Sequence, residues 1–270
     1  MVNFCAGFAT LLSVAAVVLL IFGEIGQIET SIVTRHLRIV TIGTSGVGAA
    51  IAEHLDTGMA NVTGLYNTAT TYKVKTGNGT HDGLRKNYEF GIWNYCATNG
   101  DIGTERSYCT PRAFGAPIQP AAVFLQDVPT KFAEPLQAIL PDSVFTADDY
   151  LGKFTTAASY LVFVGAIAAA LCMLIGFVAH KGAYVLGAIL ALISALTLAI
   201  GLVIYTVIFS RIISAISDVQ VAENVDLGVD VAYGNALWLM WGAAAAIIFA
   251  VLPFSIACCT GRTDSRIPRK

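Results

Sequence analysis

The run GAYVLGAILALISALTLAIGLVIYTVIFS, residues 182–210, decides the fold of this chain. It contains no Asp, Glu, Lys, Arg or His, and it exceeds the roughly 20 apolar residues that a helix needs to cross about 30 Å of hydrocarbon. A buried helix of a soluble protein rarely reaches this length without a charged side chain. The run therefore predicts a membrane-spanning helix.

Three further runs have the same character, at residues 4–23, 157–179 and 236–260. Only 13% of the 270 residues are charged and the mean hydropathy is +0.68, whereas about a quarter of the residues of a soluble protein are charged. We predict a membrane all-α four-helix bundle. The run at 4–23 also resembles a cleaved signal peptide, but it lacks a basic start and an obvious cleavage site, so we expect a retained anchor.

The short loops predict the orientation, because Lys and Arg favour the cytoplasmic side. The turn between the second and third helices carries Lys181, and the short tail at 261–270 is basic, with Arg262, Arg266, Arg269 and Lys270. The loop at 211–235 is mainly acidic. We expect both termini in the cytoplasm, and the large loop at 24–156 and the second loop at 211–235 outside.

Within the large loop the residue patterns predict a small extracellular β-sheet. Segments 36–43, 87–96 and 106–114 are rich in β-branched and aromatic residues and are typical of strands. The polar stretch at 61–83 is predicted to be exposed. Segment 121–140 is apolar at helical spacing and broken by prolines, so we expect short helices on the outer membrane surface.

Several functional classes lack support in the sequence. Gly46 and Gly48 resemble a dinucleotide-binding turn, but Ile51 stands where a third small residue is needed, and a strand, a turn and a short helix are favoured. The net charge of −2 shows no basic cluster for nucleic acid, and the histidines lack metal-ligand spacing. We expect no enzyme activity, no cofactor and no metal. The uncharged membrane runs also argue against transport.

The six cysteines divide by compartment. Cys96 and Cys109 lie in the loop predicted to be outside, where a disulfide is expected, the alternative being two free thiols. Cys258 and Cys259 lie beside the basic tail and are palmitoylation candidates, unless they are simply buried.

Two other surface features have alternative interpretations. Asn61 and Asn78 begin N-glycosylation sequons in the large loop, although sequons also arise by chance. Gly187, Ser194 and Gly201 recur every seven residues on the third helix. Small residues on one face permit close helix packing, either within the bundle, which is favoured, or in an oligomer.

One motif suggests a family. Gly91, Ile92 and Trp93, followed by Cys96 and Cys109, resemble the loop signature of the claudin superfamily, although the upstream tryptophan of that signature is missing. The chain more closely resembles the fungal SUR/PalI family of claudin-like tetraspans. The resemblance rests on RIVTIGTSGVG, FGIWNYC, YCTPRAFGAPIQP, the approach DDYLGKF to the second helix, and YGNALWLMWGAAAA in the fourth.

The resemblance implies a non-enzymatic plasma-membrane protein with a claudin-like extracellular sheet. Members are associated with eisosomes, which are furrow-like membrane domains, and with cell-wall integrity and endocytosis. The PalI branch assists ambient-pH sensing, and a small-solute channel is a third, less favoured interpretation. The expected partners are membrane lipids, further copies of the chain, other tetraspans, eisosome proteins and the cell wall. Trp93 is expected to lie against the sheet or the outer bilayer surface.

Overall fold

A computed structural model describes residues 2–27, 34, 36–56, 62–67, 73–74, 81–100, 108–140, 148–178, 181–217, 220–222 and 225–260. In chain order, the elements within these residues are α1 (Val2–Glu24), β1 (Val40–Gly43), α2 (Val47–His54), β2 (Lys73–Val74), β3 (Asn87–Phe90), β4 (Tyr95–Thr98), β5 (Tyr108–Cys109), α3 (Pro120–Asp127), α4 (Thr130–Ile139), α5 (Asp148–Gly176), α6 (Lys181–Ser217), β6 (Gln220–Ala222), β7 (Val225–Asp226), β8 (Asp230–Tyr233) and α7 (Asn235–Thr260). The chain divides into two compact units. One is helical and consists of Met1–Gly23, Ala158–Val203 and Trp238–Lys270, and the other, Glu24–Ala157 with Ile204–Leu237, contains the sheet.

Four helices, α1, α5, α6 and α7, are long and apolar enough to cross a membrane, which confirms the predicted fold class. Two of them extend beyond the uncharged runs by about two helical turns. Helix α5 begins at Asp148 rather than at 157, and α6 continues to Ser217 rather than ending at 210. In these extensions the side chains of Leu151, Ile212 and Ile216 are buried. Tertiary packing keeps the extensions helical, and a count of apolar residues does not detect it.

The helical unit is held together by close contacts at small residues. The Ser194 hydroxyl on α6 donates to the Gly165 carbonyl on α5 over 2.8 Å. A Cβ atom at Gly187 would lie 3.3 Å from the Phe254 ring on α7, and Gly201 faces α5. The small residues predicted to permit close packing therefore contact neighbouring helices of the same chain, as the favoured interpretation expected.

The opposite sides of these helices expose large apolar side chains. Examples are Leu11, Ile21, Val164, Leu171, Leu192, Ile200, Phe249 and Leu252. A soluble protein rarely exposes so many large apolar residues on contiguous helix faces. Small residues inside and large aliphatic residues outside are the arrangement expected of a membrane bundle.

The large loop folds around a six-stranded sheet with the order β2-β5-β4-β3-β1-β8. All neighbouring strands are antiparallel except β2 and β5. The edge strand β8 comes from the second loop and pairs with β1, with Ile42 opposite Val231. The prediction placed three strands, all in the large loop, so β8 was missed. Strand β2 was missed as well, because it lies in the stretch 61–83 that was predicted to be exposed and in which Leu65 is buried.

A second contact joins the two loops beside this strand pair. The Gly46 amide donates to the Gly228 carbonyl over 3.0 Å. Gly228 has φ +71°, a left-handed conformation that glycine adopts without steric cost. The predicted strand, glycine turn and short helix are β1, the turn at 44–46 and α2, and the turn is where the second loop attaches.

Helices α3 and α4 are the short helices predicted in segment 121–140. Phe124 on α3 and Leu136 on α4 are buried within the sheet-containing unit, while Lys131 and Glu134 are exposed. The apolar sides of both helices therefore complete the core of that unit, instead of being free to lie on a membrane surface as predicted. Amphipathic spacing alone does not indicate which apolar surface a helix contacts.

Candidate functional site

The claudin-like motif forms a tight turn between β3 and β4. The Gly91 amide donates to the Asn94 carbonyl over 2.9 Å, and Phe90 lies opposite Tyr95 in the strand pair. Segment 87–96 was predicted as one strand, and that prediction is wrong, since the chain reverses direction in the middle of it. The turn lacks proline and an Asn-Gly pair, so only the separated Gly91 and Asn94 signal it.

Position 91 requires a residue without a side chain, because the turn packs directly on residues 26–27, which follow α1 in the chain. A Cβ atom at this position would be 2.8 Å from the Gly26 carbonyl oxygen and 3.0 Å from Cβ of Gln27. Both distances are shorter than an ordinary van der Waals contact between such atoms. The glycine of the motif therefore allows the β3–β4 hairpin to pack closely on Gly26 and Gln27, within the same compact unit.

The next two motif residues hold the segment that follows β5. Ile92 is buried, and its carbonyl accepts from the Ala116 amide over 3.2 Å. The Trp93 carbonyl accepts from the Ala113 amide over 2.8 Å, and the half-buried indole meets the Phe114 ring edge-on with centroids 5.0 Å apart. Trp93 thus packs on the segment that follows β5, and its expected place against the sheet or the outer bilayer surface stays a prediction.

A disulfide joins Cys96 and Cys109, as predicted. The two residues are directly opposite each other on the antiparallel strands β4 and β5, and both are buried. The Thr110 amide donates to the Tyr95 carbonyl over 3.0 Å immediately beside the bond. The covalent link therefore fixes the register of a strand only two residues long, which backbone hydrogen bonds alone hold weakly.

One face of the sheet carries the polar residues that surround this disulfide. Glu89 lies opposite Thr41 on one side and Cys96 on the other, and it is buried. The Gln27 side-chain amide donates to Glu89 Oε2 over 3.2 Å and to the Leu37 carbonyl over 3.0 Å. The buried Glu89 side chain is thus hydrogen-bonded by Gln27, and this bond is a second contact between the sheet and segment 26–27 of the same unit.

The other face carries a cluster of aromatic residues around one acid, Asp127 at the end of α3. The hydroxyl of Tyr88 donates to Asp127 Oδ2 over 3.0 Å, and the hydroxyl of Tyr108 donates to the same oxygen. The Tyr88 ring lies 5.1 Å from that of Phe124. The sequence analysis did not identify this cluster, although Tyr88 and Tyr108 both alternate with residues of the polar face.

The two phenols act as neutral donors. Burial raises the pKa of both the Tyr88 and Tyr108 hydroxyls well above the ordinary tyrosine value of 10.0, and the charge of Asp127 raises it further. Neither hydroxyl is therefore activated as a nucleophile or base at neutral pH. The cluster is suited to holding α3 on the sheet.

Arg85 completes this face. It is buried, and its guanidinium carbon lies 5.6 Å from the centroid of the Tyr108 ring. Its Nε and Nη1 atoms have no hydrogen-bond partner among the described residues. The Arg85 amide donates to the Tyr88 hydroxyl over 3.1 Å, so each tyrosine contacts both Arg85 and Asp127.

The glycine turn that resembles a nucleotide-binding loop is filled by a tyrosine. The Tyr66 hydroxyl accepts from the Gly48 amide over 2.9 Å and donates to the Thr44 carbonyl over 2.6 Å. It therefore occupies the position at the start of α2 where a phosphate would bind.

Within the described part of the chain, no three His, Cys, Asp or Glu side chains are grouped as metal ligands.

Four predicted modification sites remain predictions. Asn61 and Asn78 lie outside the described residues, and the side chains of Cys258 and Cys259 are likewise not described. Cys172, which is buried, donates to the Gly187 carbonyl over 3.3 Å.

A substitution at Gly91 tests the role of the motif turn. Gly91→Ala should lower the free energy of unfolding by about 1–3 kcal/mol, because the added methyl group overpacks a fixed backbone contact. The measurement is the thermal unfolding midpoint of the purified full-length protein in detergent. Gly242→Ala is the matched control, since its Cβ atom would meet Leu19 at an ordinary 3.6 Å. Equal midpoints for the two variants would show that the turn moves freely away from Gly26.

A model of one protein family, described as the SUR7/PalI family, matches residues 5–252 of the chain. The matched range includes the motif turn, the disulfide and most of each of the four long helices. No curated protein matches the chain.

Proposed function

Because the chain belongs to the SUR7/PalI family, we propose that it is a non-enzymatic tetraspan of the plasma membrane that organises membrane domains of the eisosome or furrow type. It is a multi-pass membrane protein, and its family consists of claudin-like membrane proteins rather than enzymes. The proposed role includes a link to cell-wall integrity or endocytosis.

The observation that carries the proposal is that the two compact units differ in character: one exposes large apolar side chains, and the other is stabilised internally by a disulfide and buried hydrogen bonds. The helical unit exposes large aliphatic side chains, which suit lateral contact with lipids and other membrane helices. The sheet-containing unit is stabilised by a buried disulfide and a buried tyrosine–aspartate cluster. A unit whose cysteines and phenols serve to hold its own strands and helix together suits a structural role better than chemistry on a substrate.

The proposed topology follows from the loop charges. Both termini and the turn that contains Lys181 would lie in the cytoplasm, and the disulfide-bonded sheet would face the cell wall. An oxidising outer compartment agrees with the Cys96–Cys109 bond. The expected partners are membrane lipids, further copies of the chain and other tetraspans.

Imaging of a tagged protein beside a furrow marker tests the proposal. We expect patches that coincide with the marker, and furrows that are altered or sensitive to wall stress when the gene is deleted. A uniform plasma-membrane signal, together with intact furrows and normal growth under wall stress, would contradict it. Loss of growth at alkaline pH with intact furrows would instead identify an adaptor in pH sensing, and solute flux into liposomes would identify a channel.

A further inference from the structure

Helix α5 carries one continuous exposed stripe. Its members recur at helical spacing and are Tyr150, Phe154, Ala157, Tyr160, Val164, Ile167, Leu171 and Leu174. The other side of the helix is buried and includes Ala158, Val162 and Cys172. The stripe lies on the lipid-facing side of a membrane-spanning helix, so its whole length is a candidate lipid contact.

The stripe is longer than the hydrocarbon layer. At about 1.5 Å per residue, it extends about 36 Å from Tyr150 to Leu174, whereas the hydrocarbon core is about 30 Å thick. If Leu174 lies near one edge of that core, Phe154 lies at the other edge and Tyr150 lies beyond it. The total thickness with headgroups is about 40–45 Å, so Tyr150 is still within the headgroup layer.

The composition of the stripe changes along its length. It is aliphatic from Val164 onward and mainly aromatic before it. The side chains of Tyr150 and Phe154 are 58% and 39% exposed, and their rings contact each other with centroids 4.2 Å apart. Lys153 is exposed beside them. Aromatic rings and snorkelling lysines are the side chains that favour a membrane–water interface.

The exposed residues of α6 indicate the same position for the edge of the hydrocarbon layer. Along α6 the exposed apolar residues continue to Val207, and the next exposed residues are Ser210 and Arg211. Ser210 is about as far from the short α5–α6 turn along its helix as Tyr150 is along α5. Both helices thus leave the hydrocarbon at a similar distance, where α6 exposes a hydroxyl and a guanidinium.

We propose that Tyr150, Lys153 and Phe154 form a phospholipid headgroup anchor in the leaflet on the side of the large loop. The Phe154 ring lies among the glycerol groups and the upper acyl chains. The Tyr150 hydroxyl donates to ester or phosphate oxygens, and the Lys153 ammonium pairs with a lipid phosphate. The anchor gives a role to the YLGKF segment, which precedes the predicted hydrocarbon run.

Site-directed spin labelling of the full-length protein in phosphatidylcholine vesicles tests this anchor. Labels are introduced by Tyr150→Cys and Phe154→Cys in a background where Cys5, Cys258 and Cys259 are changed to serine. The disulfide-bonded and buried cysteines remain unlabelled. Leu171→Cys is the control for the hydrocarbon, and Ser214→Cys, exposed near the end of α6, is the control for water. Collisions with oxygen report lipid, and collisions with a water-soluble nickel chelate report solvent.

We expect the label at position 154 to resemble that at 171, with frequent oxygen and rare nickel collisions, and the label at 150 to fall between the two controls. Labels at 150 and 154 that both match position 214 would overturn the proposal. Shielding of both labels from both reagents would also overturn it, because it would indicate a protein partner or a second copy. In a Lys153→Gln background, the label at position 150 should collide more often with the nickel chelate, while collisions at position 171 should not change. If the collision frequency at position 150 stayed the same, Lys153 would not be part of the anchor.

Discussion

Loss of the Cys96–Cys109 bond should lower the free energy of unfolding of the sheet-containing unit by about 3 kcal/mol, because the bond closes a loop with a sequence separation of 13. Cys96→Ser, Cys109→Ser and the double variant should all show this loss. Each of them removes the same single bond, so the two substitutions should not add.

The effect should be concentrated at β5. That strand is two residues long and is held between β4 and β2, so without the covalent link it depends on few hydrogen bonds. Hydrogen–deuterium exchange of the full-length protein in detergent should show faster exchange around residues 95–98 and 108–110 in all three variants. A reducing agent should reproduce the change in the wild type and add little to it in Cys96→Ser.

Cys172→Ser is the control, because Cys172 is buried but forms no disulfide, and serine retains a donor to the Gly187 carbonyl. It should leave exchange at β4 and β5 unchanged. If the two single variants had separate effects that summed in the double variant, the bond would not be the source of the stability.

The four long helices and the disulfide could be predicted from the sequence, because each depends on the surroundings of a whole segment and not on contacts between distant residues. A hydrocarbon layer excludes charge along a whole helix, so four uncharged runs were enough to predict α1, α5, α6 and α7. An oxidising compartment likewise indicated the disulfide without knowledge of the strands. The ends of α5 and α6 were not predicted, because they include charged residues and because the packing of residues such as Leu151 and Ile212 depends on distant parts of the chain.

The parts that were missed depend on residues far apart in the chain. Strand β8 is short, and it pairs with β1 through contacts that no local pattern encodes. The β3–β4 turn was missed since the aromatic residues on both sides of Gly91 favour one continuous strand. Asp127 looked like an ordinary charge in a short helix, because the two tyrosines that it binds lie on different strands.

Asp127→Ala should lower the free energy of unfolding by about 2–4 kcal/mol. The substitution leaves the buried hydroxyls of Tyr88 and Tyr108 without their shared acceptor, and an unsatisfied buried donor costs about 1–3 kcal/mol. Asp127→Asn should cost less, since its amide oxygen still accepts from one phenol. The measurement is the thermal unfolding midpoint of the full-length protein, and Gln126→Ala, at the exposed neighbouring position, should leave it nearly unchanged.

A double-mutant cycle separates this cost from a general loss of packing. Tyr108→Phe removes one of the stranded hydroxyls and keeps the ring that packs beneath Arg85. The Asp127→Ala/Tyr108→Phe variant should therefore lose less stability than the sum of the two single variants, because both substitutions remove the same Tyr108–Asp127 hydrogen bond. Strictly additive losses would show that Asp127 stabilises α3 independently of Tyr108, and the cluster would then not be the contact that holds this helix on the sheet.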